Sequence, residues 1–219
     1  MARMMSLRTA THGLVLIEEP AGSAAAGLIV TFHGYKQGAD DALAAALAIP
    51  GVRDRYRVVA PQGLHRFYAS GDRVVASWMT KQDRDDAIAD NVAYIDAVVE
   101  EAVDDMPAGA EPVIVYAGFS QGAAMAYRAA VLGQYRASGI IALAADMPPE
   151  LRQSDGRQPW PPVLIGVGTE ETYYAPDKMA VDVEFLKSKG ISCEVCRFKG
   201  GHEWTDEFRA AAGRWLAAL

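Results

Sequence analysis

Cysteine is nearly missing: the 219 residues hold two, Cys193 and Cys196, too few for a disulfide framework. A zinc site would need two more ligands at metal spacing, and the four histidines (His12, His33, His65, His202) are scattered. The stretch Ile191 to Phe198 reads as a β-strand, and a step of three along a strand turns its two side chains to opposite faces, so Cys193 and Cys196 are expected as free thiols and no metal is expected. Positive charge is in deficit, with 21 Lys plus Arg against 28 Asp plus Glu and a formal charge of -7. That sign, with no segregated basic face, does not suit a phosphate backbone, so nucleic acid is not an expected partner. No stretch reaches the ~20 uninterrupted apolar residues of a membrane span, and membrane insertion is not expected. Met1 to Thr9 carries Arg3 and Arg8 but no apolar run of signal-peptide length, which predicts a soluble, cytoplasmic protein. Neither a repeat of ~20 to 50 residues nor a shift in composition divides the chain.

What the chain does have is apolar content: 51% hydrophobic and 22% charged residues fill a sizeable core and exclude disorder. Residues 1–219 are expected to form a single domain, at the upper end of the usual size range. Apolar β-rich runs alternate with helical patterns, as in an α/β fold whose mostly parallel sheet is covered by helices on both faces. The strands are expected at Leu14–Ile17, Leu28–Phe32, Arg57–Ala60, Val113–Ala117, Gly139–Leu143, Val163–Val167 and Ser192–Phe198. Helices are expected near Asp40–Ala48, Gln82–Val103, Gly122–Gly133, Pro176–Lys189 and Thr205–Ala218. In the long second helix Ile88, Val92, Ile95, Val99 and Val103 mark one apolar face, and its charges read as a solvated face. Met147 to Pro162, rich in proline, reads as a surface loop with at most one helical turn.

The sharpest local signal is Gly118-Phe119-Ser120-Gln121-Gly122. This Gly-x-Ser-x-Gly pentapeptide lies between an expected strand and an expected helix, where a tight turn lifts the serine out of the sheet edge. Such a turn crowds the positions two before and two after the serine, which is why both lack a side chain. The helix behind Ser120 presents unpaired N–H groups and positive dipole, suited to an oxyanion.

A serine hydroxyl needs a neighbouring base. His202 qualifies: it follows the last strand in Phe198-Lys199-Gly200-Gly201-His202-Glu203-Trp204, where two glycines let the loop bend back over the sheet edge. His12 and His65 read as surface or locally satisfied residues. The acid that orients the base should lie between serine and histidine, after a strand. Gly168-Thr169-Glu170-Glu171 offers two glutamates; Asp146, after Gly139–Leu143, is another candidate, and Asp177 is better placed to cap the next helix. Thr31-Phe32-His33-Gly34-Tyr35 follows a strand and can add a second oxyanion N–H.

Taken together, these motifs resemble the α/β-hydrolase superfamily, and within it the small phospholipase/carboxylesterase family that includes acyl-protein thioesterase-like enzymes. The resemblance runs from His33-Gly34 through Ala60-Pro61-Gln62-Gly63, Gly-Phe-Ser-Gln-Gly and Asp146-Met147-Pro148 to Gly200-Gly201-His202-Glu203-Trp204. It implies an α/β-hydrolase fold without a large cap domain, Ser120 as nucleophile, His202 as base, and the N–H groups of Tyr35 and Gln121 as oxyanion hole. Two positions depart from the family pattern. Lys36 stands where a glycine usual to the family would follow His-Gly-x. The family's orienting acid is an aspartate in Gly-x-x-Asp, and counting from Gly168 puts Glu171 in its place. A one-residue step in an extended loop turns Glu170 away, which favours Glu171.

The expected activity is that of a serine carboxylesterase on short- to medium-chain acyl esters, through an acyl-enzyme and without a cofactor. Its expected partner is a small-molecule ester. A thioesterase or lysophospholipase would use the same residues. The Glu-for-Asp change also admits a non-catalytic binding protein that keeps the hydrolase fold. Of the aromatics near the site (Tyr35, Phe67, Tyr68, Trp78, Phe119, Tyr173, Tyr174, Trp204), some are expected to line an acyl pocket and the rest to pack the core.

Overall fold

Continuous apolar runs become the buried strands of one sheet because only a sheet covered on both faces removes every second side chain from water in both directions. The structure is a computed structural model that describes residues 2–22, 25–104, 106, 112–154 and 156–219. Its strands are β1 (Val15–Glu18), β2 (Gly27–Phe32), β3 (Tyr56–Pro61), β4 (His65–Tyr68), β5 (Val74–Ser77), β6 (Ile114–Phe119), β7 (Gly139–Leu143), β8 (Val163–Gly168) and β9 (Cys193–Phe198). Its helices are α1 (Ala39–Leu47), α2 (Val52–Arg55), α3 (Arg84–Asp104), α4 (Gln121–Leu132), α5 (Pro176–Ser188) and α6 (Asp206–Ala217), with one 3-10 turn at Pro149–Arg152. The main sheet runs β1-β3-β2-β6-β7-β8-β9. Only β1, on the edge, is antiparallel to its neighbour. This is an α/β-hydrolase fold, and the described residues between β7 and β8 form no large cap.

The side-chain alternation is visible strand by strand. Leu28, Val30, Ile114, Tyr116, Ile140, Ala142, Val163 and Ile165 pack with residues of α3, α4 and α5, while Ile29, Val115, Ala117, Ile141, Leu143 and Leu164 pack with residues of α1 and α6. The cysteines obey the same rule: Cys193 borders the first cluster and Cys196 the second, and both are free. Burial pushes the Cys193 thiol up to about 11 and raises that of Cys196. No helix among the described residues is long and apolar enough to cross a membrane.

All seven expected strands and five expected helices are found, with ends moved by one or two residues. Two elements were not anticipated. One is the short helix α2; the other is the two-stranded antiparallel hairpin β4–β5, detached from the main sheet. Its first strand, His-Arg-Phe-Tyr, is mostly exposed, so the apolar alternation that announces a strand is absent. Two readings need correction. The charges of α3 are not all solvated: Asp96 is buried and accepts the Gln134 N–H at 2.7 Å. The Met147–Pro162 segment does contain the expected single turn, but it is fastened down: Met147 and Leu151 are buried, and Glu150 pairs with Arg84 at 2.8 Å and Arg128 at 2.7 Å. Two arginines from separate helices thus hold a segment that proline content alone would leave on the surface.

Candidate active site

Three loops at the carboxyl ends of β6, β8 and β9 converge, as expected where ligands bind parallel sheets. Ser120 sits between β6 and α4 at φ 53, ψ -124, a conformation that L-residues rarely hold. Its N–H donates to the Leu143 carbonyl at 2.9 Å, which ties the turn to β7. The flanking glycines are demanded by space. A Cβ on Gly118 would lie 2.2 Å from the Gly122 carbonyl oxygen, and one on Gly122 would lie 2.2 Å from that of Phe32.

The loops after β8 and β9 are laced together by main-chain bonds: Thr169 N–H donates to Phe198 O at 2.9 Å and Glu170 N–H to Gly200 O at 2.8 Å. A Cβ on Gly168 would meet that same Gly200 oxygen at 2.3 Å. Gly200 itself adopts φ 146, which turns the chain so that His202 faces Ser120. His202 Nε2 lies 2.8 Å from Ser120 Oγ, and its Nδ1 lies 2.8 Å from Glu171 Oε2. The ring is flanked by Phe119 at 4.8 Å and Tyr173 at 4.9 Å between centroids.

The structure also separates the acid candidates. Only 1% of the Glu171 side chain is exposed. Its second oxygen accepts the backbone N–H of Tyr173 at 2.7 Å and, more distantly, that of Tyr174 at 3.4 Å. Burial pushes this carboxyl up, but the Tyr173 N–H, His202 and the Tyr174 N–H outweigh it and hold it below the ordinary carboxylate value. Glu170 is exposed. Asp146 lines the cleft with half its side chain exposed and lies 3.7 Å from Lys178. Asp177 is in the first turn of α5.

Tyr35 and Gln121 line the same cleft as Ser120 and His202, a cavity of about 430 Å³ whose walls include Ala124, Ala144, Ala145, Tyr173 and Tyr174. Of the aromatics expected near it, Tyr35, Tyr173 and Tyr174 line this cavity; Trp78 is fully buried, and Trp204 packs on Phe208 at 5.4 Å. Lys36, the residue in the usual glycine position, adopts φ 63. It keeps the left-handed turn that glycine would make, and its ammonium lies 5.5 Å from the Tyr35 ring centroid. Among the described residues no cluster of three His, Cys, Asp or Glu side chains gathers at metal-binding distance.

One buried group escaped sequence reasoning. Asp182 on α5 is fully buried and accepts from Met147 N–H at 3.0 Å, from Tyr174 OH at 2.8 Å, and from Arg152. It anchors the cleft wall at Tyr174. The signal was available, since Met179, Asp182 and Leu186 form one buried stripe of α5, and an aspartate inside such a stripe calls for partners.

The sequence pattern of one known family, described as phospholipase/carboxylesterase, matches residues 13–218. The chain belongs to that family. Membership makes it a hydrolase of the esterase and thioesterase class. Solved structures of similar fold include esterase PE8, at 22% identity and TM-score 0.76 over 95% of this chain and 100% of that one. The carboxylesterase of Bacillus cereus is similar at 15% identity and TM-score 0.72, over 94% of each chain. Acyl-protein thioesterase 2 of Zea mays is similar at 19% identity and TM-score 0.68, over 94% of this chain and 99% of its own. No curated protein matches the sequence.

Proposed function

We propose that the protein is a serine carboxylesterase acting on short- to medium-chain acyl esters, with Ser120 as nucleophile, His202 as general base and Glu171 as orienting acid. The observation that carries this reading is His202 held between Ser120 Oγ and Glu171 Oε2 at 2.8 Å on either side. Glu171, as a carboxylate, can only accept, so the proton on the imidazole sits at Nδ1 and leaves Nε2 free to take the serine proton. Ser120 then attacks the acyl carbonyl, and the oxyanion meets the backbone N–H groups of Tyr35 and Gln121. His202 returns its proton to the leaving alcohol, and water, deprotonated in the same way, releases the acid. No step needs a metal or an organic cofactor.

Three alanines on the wall and a cavity of about 430 Å³ support a compact acyl group rather than a long one. A thioester would use the same atoms, so the test is a chain-length series of p-nitrophenyl esters beside the matching acyl thioesters. A maximum kcat/KM at or below about eight carbons is expected, and steady growth to sixteen would refute the chain-length reading. Preference for thioesters at every length would shift the assignment to a thioesterase. A non-catalytic binding protein has no reason to hold serine, histidine and carboxylate in this register; turnover by the wild-type protein excludes it.

A further inference from the structure

The hairpin β4–β5 lies outside the main sheet, yet it touches both oxyanion donors. On one side, β5 pairs with the loop that carries Tyr35: Lys36 N–H donates to Ala76 O at 3.1 Å and Ala76 N–H donates to Gln37 O at 2.8 Å. Gln37 in turn accepts the Gly34 N–H at 2.7 Å through its side chain. On the other side, the residues that leave β5 grip the side chain of Gln121. Trp78 N–H donates to Gln121 Oε1 at 2.9 Å, while Gln121 Nε2 donates to Met79 O at 3.0 Å and to Ser77 Oγ at 3.1 Å. Ser77 Oγ passes its own proton to Met79 O at 2.7 Å. The amide thus uses its acceptor and both its donors on a single three-residue segment.

That segment is itself fixed. Trp78 is fully buried, its indole N–H donates to His33 O at 2.9 Å, and its carbonyl accepts from Asn91 Nδ2 of α3 at 2.7 Å. Its ring stacks on the His33 imidazole at 5.0 Å. Burial lowers the His33 pKa, and Gly63 N–H donates to its Nε2 at 2.9 Å. The neutral ring therefore carries its proton on Nδ1, which donates to Gly34 O at 2.7 Å, within the Tyr35 loop.

We infer that β5 and Ser77-Trp78-Met79 position the oxyanion hole, setting the separation of the Tyr35 and Gln121 N–H groups by binding the loop of one and the side chain of the other. The inference rests on the esterase reading above. Ser77, Trp78 and the Gln121 side chain are positioning groups that act through the two backbone donors. Pre-set donors lower the barrier only if they meet the oxygen of the tetrahedral species, so a loosened clamp lowers kcat and spares KM.

The test compares Gln121→Met, Ser77→Ala and Trp78→Phe with wild type, each counted by active-site titration with a fluorophosphonate. Removal of a whole donor costs ~100- to 1000-fold, so a displaced one is expected to lower kcat about tenfold in Gln121→Met and about threefold in the other two, with KM within about twofold. Affinity for a trifluoromethyl ketone, whose tetrahedral adduct places an oxyanion in the hole, should fall by the same factor as kcat. Should Gln121→Met not fold, the other two variants carry the comparison. A purely structural role would lower Tm and the titratable fraction while kcat per titrated site and ketone affinity stay at wild-type values; that result overturns the inference alone. A wild-type protein that takes no probe and turns over no ester overturns the esterase reading and this inference with it.

Discussion

The Glu171→Gln variant puts the orienting role proposed for this carboxylate under the most direct strain, because it changes charge and proton count but hardly size. In the wild type one oxygen faces His202 Nδ1 at 2.8 Å and the other faces the Tyr173 N–H at 2.7 Å. Both partners donate, and an amide has one acceptor for two donors. If its oxygen stays with Tyr173, its NH2 group meets Nδ1 and drives the imidazole to the tautomer with the proton on Nε2, where it cannot take a proton from Ser120. If the amide turns over, its NH2 group faces the Tyr173 N–H, which loses its acceptor. In the proposed mechanism the carboxylate also stabilises the imidazolium of the transition state. At roughly 4 Å between charge centres and an effective dielectric near 20, that attraction is about 4 kcal/mol, or about three powers of ten in rate. The tautomer penalty acts on top, so kcat on a p-nitrophenyl ester should fall ~1000- to 10,000-fold with KM nearly unchanged, since Glu171 does not line the cleft. Glu171→Asp, shorter by one methylene, should lose about ten- to a hundredfold. Asp146→Asn and Glu170→Gln should stay within about threefold of wild type. Glu171→Gln retaining a tenth of the wild-type rate, or Asp146→Asn falling below it, would refute the assignment.

Other expectations concern stability and reactivity. Lys36 at φ 63 bears a left-handed strain of ~1 to 2 kcal/mol that glycine lacks, against ~0.5 to 1 kcal/mol of extra chain entropy; Lys36→Gly should raise Tm by about 1 to 3 °C, and a lower Tm would contradict the strain argument. Gly118→Ala drives a Cβ to within 2.2 Å of the Gly122 oxygen and should cost more than about 3 kcal/mol in urea unfolding, or abolish soluble expression; near wild-type stability is the refuting result. Burial raises the Glu150 carboxyl, but Arg84 and Arg128 outweigh it and hold it below its ordinary 4.5. A carboxyl depressed in the folded state stabilises above its unfolded value, and the gain is lost as pH falls through the folded value. Glu150→Gln should therefore have a lower Tm than wild type at pH 7, the two curves converging below about pH 4; parallel curves would contradict this. Burial raises the thiols of Cys193 and Cys196, so an aromatic disulfide reagent at pH 7.5 should modify the folded protein far more slowly than the urea-unfolded chain, and equal rates would count against it.

The parts of this fold that could be read in advance are those whose signal is local. Several of the expected strands, such as β2, β7 and β8, are continuous apolar runs because burial on both faces leaves them no other composition, and Cys193 and Cys196 divide between the two faces by strand parity alone. The same holds for Ser120, whose two flanking glycines announce a steric demand, and for His202, whose two glycines announce a turn. The hairpin β4–β5 carries no strand signal in β4, where Phe67 is the one partly buried residue among His65, Arg66 and Tyr68; the hairpin is held by partners distant in sequence, such as the Gln37 loop that bridges to Ala76. Trp78 read as one of eight aromatics around a pocket, and only the fold shows it buried with its indole N–H on His33 and its own N–H on Gln121. The acid proposed to orient His202 lies between these extremes. Spacing narrowed it to adjacent glutamates and Asp146, but the main-chain bonds from Thr169 and Glu170 to the histidine loop decide which carboxylate faces the ring.

The central claim is that Ser120 is a nucleophile activated by His202, and a fluorophosphonate probe reads that directly. Wild-type protein should be labelled at one site, with Ser120→Ala unlabelled and His202→Ala labelled at least about a hundredfold more slowly. Mass analysis of the labelled peptide should place the adduct on Gly118-Phe119-Ser120-Gln121-Gly122. An unlabelled wild type, or equal labelling of Ser120→Ala, would contradict the account.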